Sequence, residues 1–201
     1  MKLVSATVIA FAMLAGQAES ASLSKTYSYF SIGGRNLDEI QTELDKRGPK
    51  LNSTGRRHPG ATEMEFKTKI QYGESRGRCR VTDAQVSVNA KVILPRWRAR
   101  RRSDRETQLI WDTLASDIKR HEESHVVIAK NHARELENAL KKLYPERSCE
   151  QTAAKAKSTT DRIMAKHDAE QAKFDRVEGS NFERRILRLL GYRIQRSASG
   201  N

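Results

Sequence analysis

The sequence predicts an α+β fold in which a small antiparallel sheet packs on a long helical hairpin. Two observations carry this. Residues 64–72 and 86–94 alternate apolar with polar side chains, the period of half-buried strands, whereas residues 104–143 and 153–174 place apolar side chains every three or four positions. Pro145 lies between the two helical stretches, so they are expected to run antiparallel as neighbours.

The elements follow in order. Thr26 to Ile32 is aromatic and β-prone, and Gly33-Gly34 ends it. Asn36 is placed to cap a helix carrying Leu37, Ile40 and Leu44, which Gly48-Pro49 stops. A loop over 50–62 leads to a strand through Met64, Phe66, Thr68, Ile70 and Tyr72. A further strand runs through Val86, Val88, Ala90, Val92 and Leu94 to Pro95. The long helix carries Ile110, Leu114, Ile118, Ala129, Leu136 and Leu140, and the second Ala153, Ala156, Thr160, Ile163 and Phe174. A symmetric turn between them would bring residues level when their numbers sum to about 293. A last short helix, Phe182 to Leu190, is expected to dock its Leu/Ile face on the core ahead of a polar tail.

Composition bounds the function. The chain has 201 residues, 38 Lys+Arg against 25 Asp+Glu, and a net charge of +13. Four Pro and 11 Gly exclude a collagenous or Pro/Gly-rich chain. Lys2 followed by the apolar run Leu3 to Ala15 and small residues near Ala18 has the order of a secretory signal. Its removal takes away one base and one acid, so the charge stays at +13. The expected destination is periplasmic or extracellular, with no transmembrane segment after processing. In that oxidising setting the two cysteines, Cys79 and Cys149, are expected to form a disulfide.

The chemistry is concentrated in His121-Glu122-Glu123-Ser124-His125, an H-E-x-x-H sequence inside the long helix. At about 100° per residue the two imidazoles lie about 40° apart and one turn apart, so both reach one metal. Zn²⁺ is the ion such a pair suits, and Glu122 stands beside the open position as general base. Both histidines fall on the apolar stripe, where a metal would satisfy nitrogens that are otherwise costly to bury. The third ligand is open. Gly and His at 128 and 131 would extend the pattern, but the chain has Ile128 and Asn131. His132 is about 10 Å further along the axis. His167 on the second helix, and Asp175 and Glu178 past that helix near the returning chain, are the candidates.

With these features in order, the chain resembles the bacterial predicted secreted zinc-dependent proteases. The resemblance spans roughly residues 26–180 and rests on Tyr29 to Gly33, Gly48-Pro49, Cys79, Leu94-Pro95-Arg96-Trp97, Trp111, the H-E-x-x-H sequence, Cys149 and Phe174-Asp175. It implies a zincin-like fold, a metal at His121 and His125, and a catalytic Glu122. Many members follow a Tyr-Asp pair with His-Gly; here Phe174-Asp175 is followed by Glu178-Gly179. A carboxylate in place of that His would complete a His₂Glu set. Glu178 is preferred as third ligand, then Asp175, then His167.

The expected organisation is a signal over 1–21, one zincin-like metalloprotease-type domain over 22–192 and a polar tail over 193–201. The expected function is hydrolysis of peptide bonds by a Glu-assisted, zinc-polarised water, with a peptide or protein as substrate. Tyr144, Tyr192 and His132 are candidate transition-state donors, and Val86 to Leu94 a candidate edge for substrate. The alternative is a non-enzymatic envelope protein with structural metal or none. Its basic surface, including Arg96 to Arg102, would bind an anionic envelope partner; nucleic acid is set aside for an exported chain.

Overall fold

The structure, a computed structural model, describes residues 21–50 and 55–199. The expected signal therefore lies outside the described residues except for Ala21, which is packed in the core. The order is β1 (Ser22–Ile32), α1 (Leu37–Arg47), β2 (Ala61–Ser75), β3 (Arg78–Trp97), a 3₁₀ turn (Arg100–Arg102), α2 (Arg105–Lys141) and α3 (Cys149–Ser199). A three-stranded sheet thus carries a helical hairpin, as expected for an α+β chain.

Local chemistry sets the boundaries. The Asn36 side chain accepts the Glu39 N–H at 2.9 Å and caps α1, and Asp104 does the same for Thr107 at the start of α2. Arg76 and Gly77, with φ of 53° and 69°, close the β2–β3 hairpin in a turn that needs positive φ at both central residues.

The sheet is mixed rather than antiparallel. β3 lies in the centre, parallel to β1 and antiparallel to β2. Placing α1 after β1 allows the parallel pairing, which a hairpin could not reach. The expectation of a substrate edge at Val86 to Leu94 is thereby overturned: β1 and β2 flank this segment, and the free edges belong to them.

Burial along β3 changes parity between Val81 and Ala84. Val86, Val88, Ala90, Val92 and Leu94 face the helices, whereas Cys79 and Val81 are the buried positions before them. The ladder pairs Gln71 with Asp83 and Tyr72 with Val81, leaving Thr82 as the extra residue of a bulge that shifts the alternation by one. Against this face α2 lays Ile118, Val126, Ala129, Ala133, Leu136 and Leu140. Trp97 and Trp111 pack with centroids 5.6 Å apart over Ile32, Ile40 and Leu44, and Trp97 Nε1 donates to the Gly34 carbonyl at 2.9 Å.

Cys79 and Cys149 are joined by a disulfide. The connection after α2 is also pinned to β3, since Cys79 and Glu146 exchange two backbone hydrogen bonds of 2.9 Å. This docking makes the hairpin asymmetric. His132 meets His167 and Glu135 meets Lys166, so level residues sum to about 300.

α3 is one helix to Ser199 instead of two helices and a polar tail. At the expected break Ser180 Oγ donates to the Arg176 carbonyl at 2.7 Å, and Asn181 to the Val177 carbonyl at 2.8 Å. These polar side chains bond back into the helix rather than starting a new one. Of the Leu/Ile face expected over 182–190, Ile186 and Leu190 are half-buried, whereas Leu187 is 62% exposed.

Candidate metal centre

One turn of α2 separates His121 from His125, and α3 brings Asp175 against both. His125 Nε2 lies 3.1 Å from His121 Nε2 and 3.0 Å from Asp175 Oδ1, which is 3.4 Å from His121 Nε2. These three residues form the metal-capable cluster among the described residues. A tetrahedral ion with bonds of about 2.0–2.1 Å sets its ligand atoms about 3.3 Å apart, so the triangle has the size such an ion requires. The donor set fits zinc.

The remaining nitrogen of His125 fixes its tautomer. Nδ1–H donates to Gln171 Oε1 at 2.6 Å, leaving the Nε2 lone pair directed into the triangle. Gln171 is oriented in turn, its amide nitrogen 3.1 Å from the His125 carbonyl and 2.9 Å from His167 Nε2. Phe174 stacks on His121 at 5.0 Å and meets His125 edge-on at 5.1 Å.

Glu122 lies on the sheet-facing side of α2, between Ile118 and Val126, and is 6% exposed. Thr62 Oγ1 sits 2.9 Å from its Oε2 and 3.0 Å from its backbone carbonyl. Gly60 makes the fit possible, because a Cβ there would stand 2.8 Å from Ile118 Cγ2 and 2.9 Å from Glu122 Oε1. Burial raises the Glu122 pKa, and the Thr62 bond and the two histidines only partly offset it. Burial also pushes Asp175 upward, but hydrogen bonds from His121 and His125 outweigh it and hold its carboxyl well below the usual range.

The candidates for third ligand separate cleanly. Asp175 reaches both imidazoles. Glu178 is held by the Arg120 guanidinium and by Arg185 Nη1 at 3.3 Å, with its Oε2 3.8 Å from His121 Nδ1. His167 is buried further down the hairpin, with Nδ1 3.0 Å from Asp168, and meets Phe66 edge-on at 5.0 Å. His132 is also buried there, its Nε2 2.8 Å from Glu170.

A cleft of about 650 Å³ opens over the cluster and Glu122, walled by His58 to Thr62 on one side and by Gly179, Phe182 and Arg185 on the other. Tyr144, Tyr192 and His132 do not line it, whereas His58 does. The sequence reading passed over His58, Gly60, Thr62 and Gln171. The Gly-Ala-Thr entry into β2 was the available signal for two of these, and nothing in the spacing marks Gln171.

Beside the cleft, Asp117 ties α2 to α3. Arg185 Nε and Nη2 lie 2.9 and 3.0 Å from its oxygens, and Arg120 Nε lies 3.0 Å away. Burial acts to raise the Asp117 pKa, but the two guanidiniums outweigh it and leave it below 3.8. A depressed acid gives its full stabilisation above its unfolded pKa and loses it as pH falls through the folded value. Asp117→Asn is expected to cost about 1–3 kcal/mol at pH 7. It should also remove part of the stability loss below pH 3.8. Urea unfolding at pH 7 and in that acid range reads both effects.

The α+β fold and this cluster define a domain with an open metal-capable cleft at a helical hairpin. The chain belongs to the family described as bacterial protein of unknown function (DUF922), which it matches over residues 27–182. No curated protein and no solved structure matches the chain.

Proposed function

We propose that the protein is a zinc-dependent peptidase, with zinc held by His121, His125 and Asp175 and with Glu122 as general base. The observation that carries this reading is the triangle of donor atoms set beside a buried carboxylate at the floor of an open cleft. Three protein donors leave one position of a tetrahedral ion free, the arrangement of catalytic rather than structural zinc. Asp175 replaces Glu178 in the ligand set because Glu178 would have to leave two guanidiniums to join it. When bound, zinc would supply Lewis-acid polarisation of a water and of the scissile carbonyl.

The chain's own residues supply the rest. Thr62 can hold Oε2 of Glu122, so Oε1 is left to accept the proton of the attacking water and pass it to the leaving amine. Glu178, Arg120, Arg185 and Asp117 brace the two helices on the side of the histidines nearer the start of α2. Gln171 holds the His125 ring in the tautomer that presents Nε2. The disulfide supports an oxidising compartment, in line with the export expected from residues 1–21.

The test is cleavage of a mixed peptide library read by mass spectrometry. Cleavage that chelator removes, zinc restores and Glu122→Gln lacks would bear the reading out; an intact library with zinc-loaded protein would defeat it. Gln171→Ala is expected to weaken zinc affinity by about 10–100-fold. Competition with a chromophoric chelator measures this, and an unchanged affinity would remove Gln171 from the account.

A further inference from the structure

The second half of α3 is apolar without being buried. Its buried residues end at His167, although Ile186, Leu187, Leu189, Leu190 and Ile194 follow within the same helix. Leu187 is 62% and Ile194 55% exposed. At about 100° per residue, Leu187 and Ile194 lie about 20° apart and form an outward stripe, with half-buried Leu190 about 60° from Leu187 on its inner edge and exposed Glu183 one turn before it. Exposed Arg184 and Arg188 border it on one side.

From residue 184 onward the charge has one sign. Glu183 is the last acid, and residues 184–199 contain Arg184, Arg185, Arg188, Arg193 and Arg196 with no carboxylate. Arg185 is committed to Asp117 and Glu178, and Arg193 donates to Ser116 Oγ at 2.9 Å. No helix among the described residues is long and apolar enough to cross a membrane. An aliphatic stripe bordered by arginines on a helix that does not span is the composition that lies in the plane of an interface.

We propose that this outer face of α3, centred on Leu187, Leu190 and Ile194 and bordered by Arg184 and Arg188, docks on the surface of an anionic lipid bilayer. The charge selects this occupant. A second copy on the same face would bring the five arginines of each segment together, with Glu183 as the one acid each copy offers there. A nucleic acid would meet the arginines but leave the aliphatic stripe in water. This inference is independent of the peptidase reading.

The experiment is co-sedimentation of the chain with vesicles of phosphatidylglycerol and phosphatidylcholine, compared with phosphatidylcholine alone. Binding is expected on the anionic vesicles, stronger by about tenfold or more than on neutral ones, and weakened by salt. Leu187→Glu/Ile194→Glu should lower it by about tenfold or more. Arg184→Gln and Arg188→Gln should each cost about fivefold. These positions are exposed, and thermal melts matching wild type would confirm that the variants fold. The proposal is overturned by equal binding to both vesicle types, by an unaffected Leu187→Glu/Ile194→Glu variant, or by no binding at low salt. A solution dimer that this variant dissolves would also overturn it, by assigning the face to a second copy.

Discussion

Glu122→Gln is expected to bind zinc as the wild type does and to lose turnover by roughly 10²–10⁴-fold. The replacement keeps the shape of the side chain, so it fits beneath Gly60 and still offers Thr62 an acceptor. It removes only the ability to take a proton. Its effect on stability should have the opposite sense. Burial holds the Glu122 pKa above 4.5, so in the metal-free chain ionisation is penalised once pH rises past the unfolded value. A neutral amide escapes that penalty, and the variant should be at least as stable as wild type at pH 7. Kinetics on a cleaved peptide, paired with thermal melts of the metal-free proteins, read both parts. Full activity in the variant would end the general-base role.

Replacing both cysteines by alanine is expected to cost about 4 kcal/mol, because the bridge closes a loop of 70 residues. For a chain of this size that lowers the melting temperature by roughly 10 °C. The effect is concentrated where the bridge acts. Cys79 is 1% exposed on β3, its carbonyl accepts the Thr152 hydroxyl at 3.0 Å, and its backbone pairs with Glu146. These contacts together seat the start of α3 on the sheet. A double variant that melts with wild type would show that the contacts around the bridge hold this seat without it.

What could be read from the sequence was whatever local chemistry decides. The Asn36 cap, the long helix from Asp104, the alternation in β2 and β3 and the pairing of two cysteines each depend on near neighbours or on there being one possible partner. The helical pair His121 and His125 belongs to the same class, since one turn of helix fixes it.

What the sequence left open or misplaced mostly concerns how separate elements meet. β1 was joined to an antiparallel sheet because nothing within Thr26 to Ile32 states the direction of its partner; the crossover through α1 decides that. The third ligand depended on the offset of the hairpin. With a symmetric turn His167 stands beside His125, whereas docking of Glu146 and Cys149 on β3 moves α3 so that Gln171 and Asp175 stand there, one to two turns further on. Glu178 could not be assigned from the sequence either, because its partners Arg120 and Arg185 are set by the same offset. The separate helix expected from Phe182 continues α3 instead, because Ser180 and Asn181, side chains that can cap a helix, bond back to carbonyls here.

The central claim, that His121, His125 and Asp175 hold zinc, is tested most directly by elemental analysis of the purified mature chain. Wild type, His121→Ala, Asp175→Ala and Glu178→Gln would be dialysed against zinc and then freed of excess. About one zinc per chain is expected in wild type and Glu178→Gln, and loss in His121→Ala and Asp175→Ala. Wild type without zinc, or zinc kept by Asp175→Ala and lost by Glu178→Gln, would contradict it.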